Sequence, residues 1–321
     1  QTLALGAATG GAASVGGMLN LTATAGNIFV SSDAALRVKD LTTQAATANT
    51  VDIRTTGGKA IVFDSTGTYA NVSGSGTANN GDAINVVTDT TGGTVTFNKA
   101  LDAGSITVSA GDAVVVNQNL STTAVNTSGG GAGSNAVSGG VTLTAAGSIS
   151  GAGTISTGSA TADDASTGGT STTATSGSIS LTATGANVQL GKLTTGAATV
   201  SNVNEGASTD TATAGTISLS GASLGTSTGT PQTLALGSGT GGAASVGGML
   251  NLTATAGNIF VSSDAALRVK DITTQAATAN TVDIRTTGGK AIVFDSTGTY
   301  TNVSGSGTAK DRKSTRLNSS H

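Results

Sequence analysis

Gly177-Ser-Ile179-Ser-Leu181-Thr-Ala-Thr-Gly185 is the stretch that decides the fold class of this chain. A glycine and a small polar residue lead into two apolar residues separated by one polar residue. Period-two alternation over three to five residues marks a strand with one buried face. Glycines and small polar residues on either side mark tight turns. The unit recurs as Gly26-Asn-Ile28-Phe-Val30, Gly93-Thr-Val95-Thr-Phe97, Gly104-Ser-Ile106-Thr-Val108 and Gly215-Thr-Ile217-Ser-Leu219. Leu19/Leu21, Val51/Ile53, Ile61/Phe63, Ile84/Val86, Val114/Val116, Val141/Leu143 and Val188/Leu190 repeat the alternation in shorter form. Glycine and β-branched threonine sit throughout, and both are poor helix formers. The chain therefore reads as all-β.

Many of these strands follow one another at near-regular steps of eight to eleven positions, as at Ile84, Val95, Ile106 and Val114. Two such steps make a coil of about 20 residues, as expected of a parallel β-helix, a β-solenoid. Residues 1–78 return as 232–309, offset by 231 positions, with four changes: Ala7 to Ser238, Ala8 to Gly239, Leu41 to Ile272 and Ala70 to Thr301. The offset equals 11 × 21, eleven whole coils of that size. Some 15 coils at about 4.8 Å each would make a rod on the order of 70 Å long. In Val51-Asp52-Ile53-Arg54 the apolar pair is expected to point in and the charged pair out. Residues 122–175 alternate least: Asn126–Asn135 and Thr157–Thr175 read as loops ejected from the stack or as frayed coils. Asn202–Thr213, with Glu205 and Asp210, reads similarly. The organisation is thus one β-helical repeat region over 1–309, copy one at 1–78 and copy two at 232–309, loop-rich at 122–175.

Residues 310–321 stand apart. Asp311–His321 reads DRKSTRLNSSH and matches a one-frame translation of a common sequencing-library adapter. It is taken as a non-native tail, expected to be disordered, and excluded from function. It holds the only His. Without Asp311–His321 the chain has 11 basic and 16 acidic residues, net −5. Such a chain lacks the positive stripe that phosphate backbones require, so no nucleic-acid partner is expected. Gln1 is no initiator, and the chain is expected to begin within a repeat. No apolar run is long enough to span a bilayer as a helix.

Charged residues make up 10% of the chain, against about 25% in globular domains. Proline occurs once, at Pro231. Disordered chains are usually rich in both, so a buried-strand reading is preferred. The absence of Cys rules out thiolate chemistry, and a long solenoid needs no disulfides because stacked coils bury a continuous core.

The scarce charges cluster. Arg37, Lys39 and Asp40 return as Arg268, Lys270 and Asp271; Asp52 and Arg54 return as Asp283 and Arg285; Asp64 returns as Asp295. They form either a ligand patch presented once per copy or ion pairs along outward ladders, each worth little. Asp163 and Asp164 are adjacent acids that could attract calcium, but the calcium-binding nonapeptide and the EF-hand loop are absent, and no metal site is expected. Polysaccharide-cleaving β-helices need clustered carboxylates, or a carboxylate with Arg or Lys. Here Asp52, Asp64, Asp82, Asp89 and Asp102 are scattered, with one Glu and no Trp. No Ser-His-Asp triad exists once His321 is set aside, and Gly10–Gly17 lacks the lysine of a phosphate-binding loop. Neither catalysis nor a cofactor is expected.

Gly140-Val-Thr-Leu-Thr-Ala-Ala-Gly-Ser-Ile149 and Gly177–Gly185 resemble the repeat regions of large bacterial exoproteins, those of the filamentous haemagglutinin-like group and of autotransporter passengers. The resemblance covers most of residues 1–309 and is compositional. It implies a right-handed parallel β-helix, export through an outer-membrane translocator, and an extracellular or cell-surface location. It further implies a role in adhesion or biofilm formation, with host or bacterial surface glycans or proteins as partners. The repeat region itself would be the shaft. Two alternatives remain: a self-associating surface-layer or matrix protein, and a carbohydrate-active β-helix enzyme.

Overall fold

Parallel pairing dominates the computed structural model: strand after strand lies beside the next coil's strand, like residue on like residue. Residues 17–44, 47–74, 81–90, 92–127, 134–163, 171–201, 210–241, 244–275 and 280–303 are described, with the backbone of Thr315–Ser319. An eleven-stranded sheet runs from Ile28–Ser32 to Ile292–Phe294. Alternating with it along the chain is a seven-stranded sheet that starts at Met18–Thr22 and Leu36–Thr42 and ends at Val188–Gln189. A bridge at Leu224 joins Val188 to Ile259 and carries that line into an eight-stranded sheet. All strand pairs among the described residues are parallel, giving an all-β, repetitive, β-solenoid-like architecture.

The alternation read in the sequence lies where a core requires it. Val51, Ile84, Ile106, Val141, Ile179, Ile217 and Leu250 stack as one buried column. Ile61, Val95, Val114, Ile149 and Val188 stack as another. Both columns belong to one contiguous core. Each such side chain contributes roughly 1.5–3 kcal/mol by leaving water. Because every coil buries its neighbour's residues, no coil has a core alone.

Coil length varies along the chain, as is usual for such stacks, around and beyond the expected 20 or so residues. Ile84 to Ile106 and Val95 to Val114 fit the expectation. Elsewhere the step between neighbouring rungs nearly doubles, as from Leu193 to Leu234. The eleven-stranded sheet accordingly has ten successive rungs, about 43 Å of axial rise.

The added length forms an arm. Val125–Asn126, Ala160–Asp163, Ala198–Ser201 and Gly239–Thr240 make a four-stranded sheet; Asn135–Val137, Thr173–Thr175 and Thr211–Thr213 make a three-stranded one. Val125, Ala136, Ala160, Ala162, Ala174, Ala198, Val200 and Ala212 form a second, smaller core. Strands thus reach both ends of Asn126–Asn135 and lie within Thr157–Thr175; residues 128–133 and 164–170 of these runs lie outside the described residues. Alternation is present there, but as alanine against threonine, a contrast too weak to stand out. Glu205 and Asp164 lie outside the described residues.

Where the arm leaves the main stack the backbones nearly touch. A Cβ on Gly139 would stand 1.8 Å from the Gly104 carbonyl oxygen, one on Gly177 1.9 Å from Gly139, and one on Gly215 1.8 Å from Gly177. Only glycine permits this approach. Buried hydroxyls stitch the same place. Within a coil, Thr122 donates to the Gly139 carbonyl (2.6 Å), Ser138 to Gly158 (2.5 Å), Thr157 to Gly177 (2.6 Å) and Ser176 to Gly196 (2.6 Å). From the next coil, the same hydroxyls accept the N–H of Gly158 (3.0 Å), Gly177 (2.8 Å), Gly196 (3.2 Å) and Gly215 (2.8 Å). Each hydroxyl therefore satisfies one carbonyl and one amide that would otherwise be orphaned.

The two repeat copies keep their internal pairing but change sheets. Leu19 faces Val38 and Asn20 faces Asp40 across a bulge in the seven-stranded sheet; Leu250 faces Val269 and Asn251 faces Asp271 across the same bulge in the eleven-stranded sheet. Conversely, Ile28–Ser32 belongs to the eleven-stranded sheet and its counterpart Ile259–Ser263 to the eight-stranded one. Seven rungs separate Ile28 from Leu250, and one further sheet-to-sheet step reaches Ile259. The offset between the copies thus spans seven and a half coils, not eleven whole ones.

Thr315–Ser319, within the tail expected to be disordered, pairs in parallel with Val282–Thr286. Thr315 sits on Val282 as Ile84 sits on the equivalent Val51. An open strand edge offers its unpaired amides and carbonyls to any extended segment.

Gly177→Ala and Thr157→Val should each lower unfolding free energy by roughly 1–3 kcal/mol, the first by steric overlap and the second by orphaning the Gly177 carbonyl and Gly196 amide. Gly229, exposed and 3.7 Å from the nearest atom that a Cβ would meet, is the control. Gly229→Ala should change stability by less than about 0.5 kcal/mol in the same urea titration.

Candidate functional site

The repeated charges are the first candidate, and the fold divides them. Arg37, Lys39 and Asp40 stand on Leu36–Thr42 in the seven-stranded sheet, whereas Asp52 and Arg54 stand on Thr50–Thr55 in the eleven-stranded sheet. In copy two the assignment is exchanged: Arg268, Lys270 and Asp271 belong to the eleven-stranded sheet, Asp283 and Arg285 to the eight-stranded one. No single face gathers all five.

Within each group the charges hold the coil. Arg37 pairs with Asp64, and Arg268 Nε reaches Asp295 Oδ2 at 2.7 Å. Asp64 Oδ1 also accepts the Thr66 amide (2.8 Å) and hydroxyl (2.6 Å); Asp295 repeats both contacts with Thr297 at the same distances. Asp40 accepts the Thr68 amide at 3.0 Å, and Asp271 the Thr299 amide at 2.8 Å. Arg54 grips Asp52 with two bonds, 2.6 and 2.7 Å, and Arg285 binds Asp283 likewise, Nε to Oδ1 at 2.7 Å. Val51 and Ile53 are buried beneath the outward-facing Asp52 and Arg54, as the alternation required. Lys39 and Lys270 are the residues skipped at the bulges, paired with neither neighbouring strand.

These contacts set the acidities. The Thr66 hydroxyl and amide, with the Arg37 guanidinium behind them, hold the Asp64 carboxyl below its ordinary range. The Thr297 hydroxyl and amide, then Arg268, hold Asp295 at about 2.

The scattered aspartates also have local tasks. Asp82 is buried and accepts the Asn49 amide at 2.8 Å; Asp210 is buried and accepts the Thr172 amide at 2.9 Å. Each precedes a strand and caps the residue preceding the neighbouring coil's strand. Asp89 accepts the Gly58 amide at 2.8 Å. Asp163 takes a 3.4 Å bond from the Ser201 hydroxyl. Among the described residues there is no group of three or more His, Cys, Asp or Glu placed to hold a metal ion.

A second candidate is a cleft that sequence analysis did not reveal. Tyr69, Asn71, Val72 and Ser73 form one wall, and Ala100, Leu101, Asp102, Asn119 and Ser121 the other, around ≈ 330 Å³. Residues far apart along the chain meet there only because coils stack, and no local spacing announces it. Partial desolvation raises the Asp102 carboxyl above its ordinary range, against the pull of a 3.0 Å bond from Ser121. Burial, then the nearby Asp64 and Asp40 charges, raise the Tyr69 phenol.

No family model matches the chain, and no curated protein or solved structure matches it. Its functional reading therefore rests on its own residues.

A folded-state value of about 2 for Asp295, against roughly 3.9 for an unfolded Asp, fixes the sign of a pH effect. The folded chain binds fewer protons there, so this stabilisation is complete above about pH 4 and is lost as pH falls toward 2. Asp64 shifts in the same direction. The melting temperature should drop across that window, and carboxyl NMR should show Thr297→Val raising the Asp295 value. A melting temperature flat to pH 2 would contradict the assignment.

Proposed function

We propose that the chain is a length of shaft from a secreted or surface-exposed bacterial adhesin, built as a right-handed parallel β-helix. Its role is to support adhesion or biofilm formation by carrying binding elements away from the cell. The observation that supports this reading best is the unbroken parallel ladder, whose arginine–aspartate pairs are turned on one another within and between coils. Such a repetitive scaffold transmits length and stiffness. In this reading the segment is not an enzyme and uses no cofactor. The full protein would leave the cell through an outer-membrane translocator, and surface glycans or proteins would be its partners. No helix among the described residues is long and apolar enough to cross a membrane.

A self-associating surface-layer or matrix protein is the second reading. It is favoured by apolar side chains exposed on strands within the stack, Phe29 (57% exposed) and Val137 (39%). Exposed apolar side chains of this kind favour lateral association.

Limited proteolysis of intact source cells should release peptides from residues 17–303, and excising this segment should reduce adherence at unchanged expression. Peptides that appear only after lysis, or unaltered adherence, would contradict the shaft reading. Ordered lattices of purified protein in electron micrographs would favour the second.

A further inference from the structure

The outward face of the eleven-stranded sheet changes character along its length. It carries Asp52 and Arg54 near its beginning and Asp271 near its end. Between them lie Ser105–Ala110, Val141–Ala145, Ile179–Ala183, Ile217–Gly221 and Leu250–Ala254, consecutive in the sheet and without one charged or aromatic residue. Their inward residues are the buried column of the core. Their outward residues stack as two further columns, like over like. One runs Thr107, Thr142, Ser180, Ser218 and Asn251; the other runs Ser109, Thr144, Thr182, Ser220 and Thr253. Nine of the ten carry a hydroxyl, and no bulge interrupts the register across these five strands.

The two columns make a rectangular net of hydroxyls. Neighbouring rungs stand about 4.8 Å apart, alternate residues along a strand roughly 6.6 Å apart, and the net is about 19 Å long. A hydroxyl can both donate and accept, and β-branched threonine holds few rotamers, so the groups keep a common orientation. Ser218 is bonded to the Asn251 side-chain amide at 3.2 Å; the other hydroxyls of the net have no partner among the described residues. Threonines just past its border differ. Thr184 and Thr255 spend their hydroxyls on the Ala145 and Gly221 carbonyls, at 3.3 Å each.

We propose that this net binds ice, joining the ordered water of a crystal face through its hydroxyls. A single hydroxyl bonds liquid water as readily as ice, and only a rigid array that repeats with the lattice favours the crystal. The two spacings of the net are close to those at which oxygen atoms repeat on a prism plane of ice. Rigidity comes from the close-packed core beneath. The net has no charged side chain to hold a hydration shell of its own, and no aromatic plate on which a sugar ring would stack. The inference concerns this face alone and does not depend on the shaft reading.

Partition into a slowly growing ice hemisphere tests this with the full chain. The protein should be enriched in the ice over the liquid, and small crystals grown in its presence should be faceted. Thr142→Arg, at an exposed position within the net, should abolish both effects with circular dichroism unchanged. Thr107→Arg, also exposed, repeats that test at the border of the net, where fewer neighbours are disturbed. Thr142→Ser keeps the hydroxyl and should keep the enrichment. So should Thr161→Arg, on the arm strand Ala160–Asp163. Exclusion of the parent chain from ice, enrichment of the two net variants equal to the parent's, or an equal loss in Thr161→Arg would overturn the proposal. Retention on crystalline cellulose without enrichment in ice would assign the net to another hydroxylated lattice and would overturn it as well.

Discussion

Everything in this molecule depends on how closely successive backbones approach at the necks between main stack and arm. A glycine in each coil lies against the carbonyl of the glycine below it, at a separation no side chain permits. Close approach buries amides and carbonyls, which must find partners. Thr122, Ser138, Thr157 and Ser176 provide them, each bonding within its own coil and to the next. The hydroxyls therefore act as fasteners in two directions. Without them the arm, whose core is mainly alanine methyls, would have little to hold it to the stack.

The same economy governs charge. Aspartates cap neighbouring turns or take arginines beside them, so few formal charges are left to face a partner. Coil length then decides where a residue is displayed. Eleven whole coils of uniform size would have returned copy two to the face of copy one. The arm lengthens the intervening coils, and seven and a half of them fill the same offset. Identical sequence consequently appears on different sheets. The bulge between Leu19 and Asn20 and its twin between Leu250 and Asn251 show that pairing is encoded within the copy. The face is set by what lies between the copies.

Strand positions and their buried residues were legible in the sequence wherever Val, Ile, Leu or Phe alternate with Thr, Ser or Asn. Ile179 and Leu181, Ile217 and Leu219, and Val51 and Ile53 are all buried as read. The arm was not legible, because Thr173-Ala174-Thr175 and Thr211-Ala212-Thr213 offer little apolar contrast. A signal did exist: Ser138-Gly139, Thr157-Gly158, Ser176-Gly177 and Thr195-Gly196 recur at even steps, each half the length of the coils they fasten. The repeated charges were visible as clusters, but their division between two sheets depends on coil count. The cleft depends on it too: Tyr69 and Asp102 belong to different coils, and the distance between them along the chain carries no trace of their meeting.

Coil count is therefore the central quantity, and one distance tests it. Phe29 and Asn251 face outward on the same sheet, seven rungs apart through Asp52, Asn85, Thr107, Thr142, Ser180 and Ser218. The chain lacks cysteine, so Phe29→Cys with Asn251→Cys gives two unique sites for nitroxide labels. Pulsed electron–electron double resonance should return a narrow distribution centred near 34 Å, seven spacings of about 4.8 Å. A peak near 50 Å, as coils of about 21 residues would give at that spacing, or a broad featureless distribution, would contradict the arrangement described.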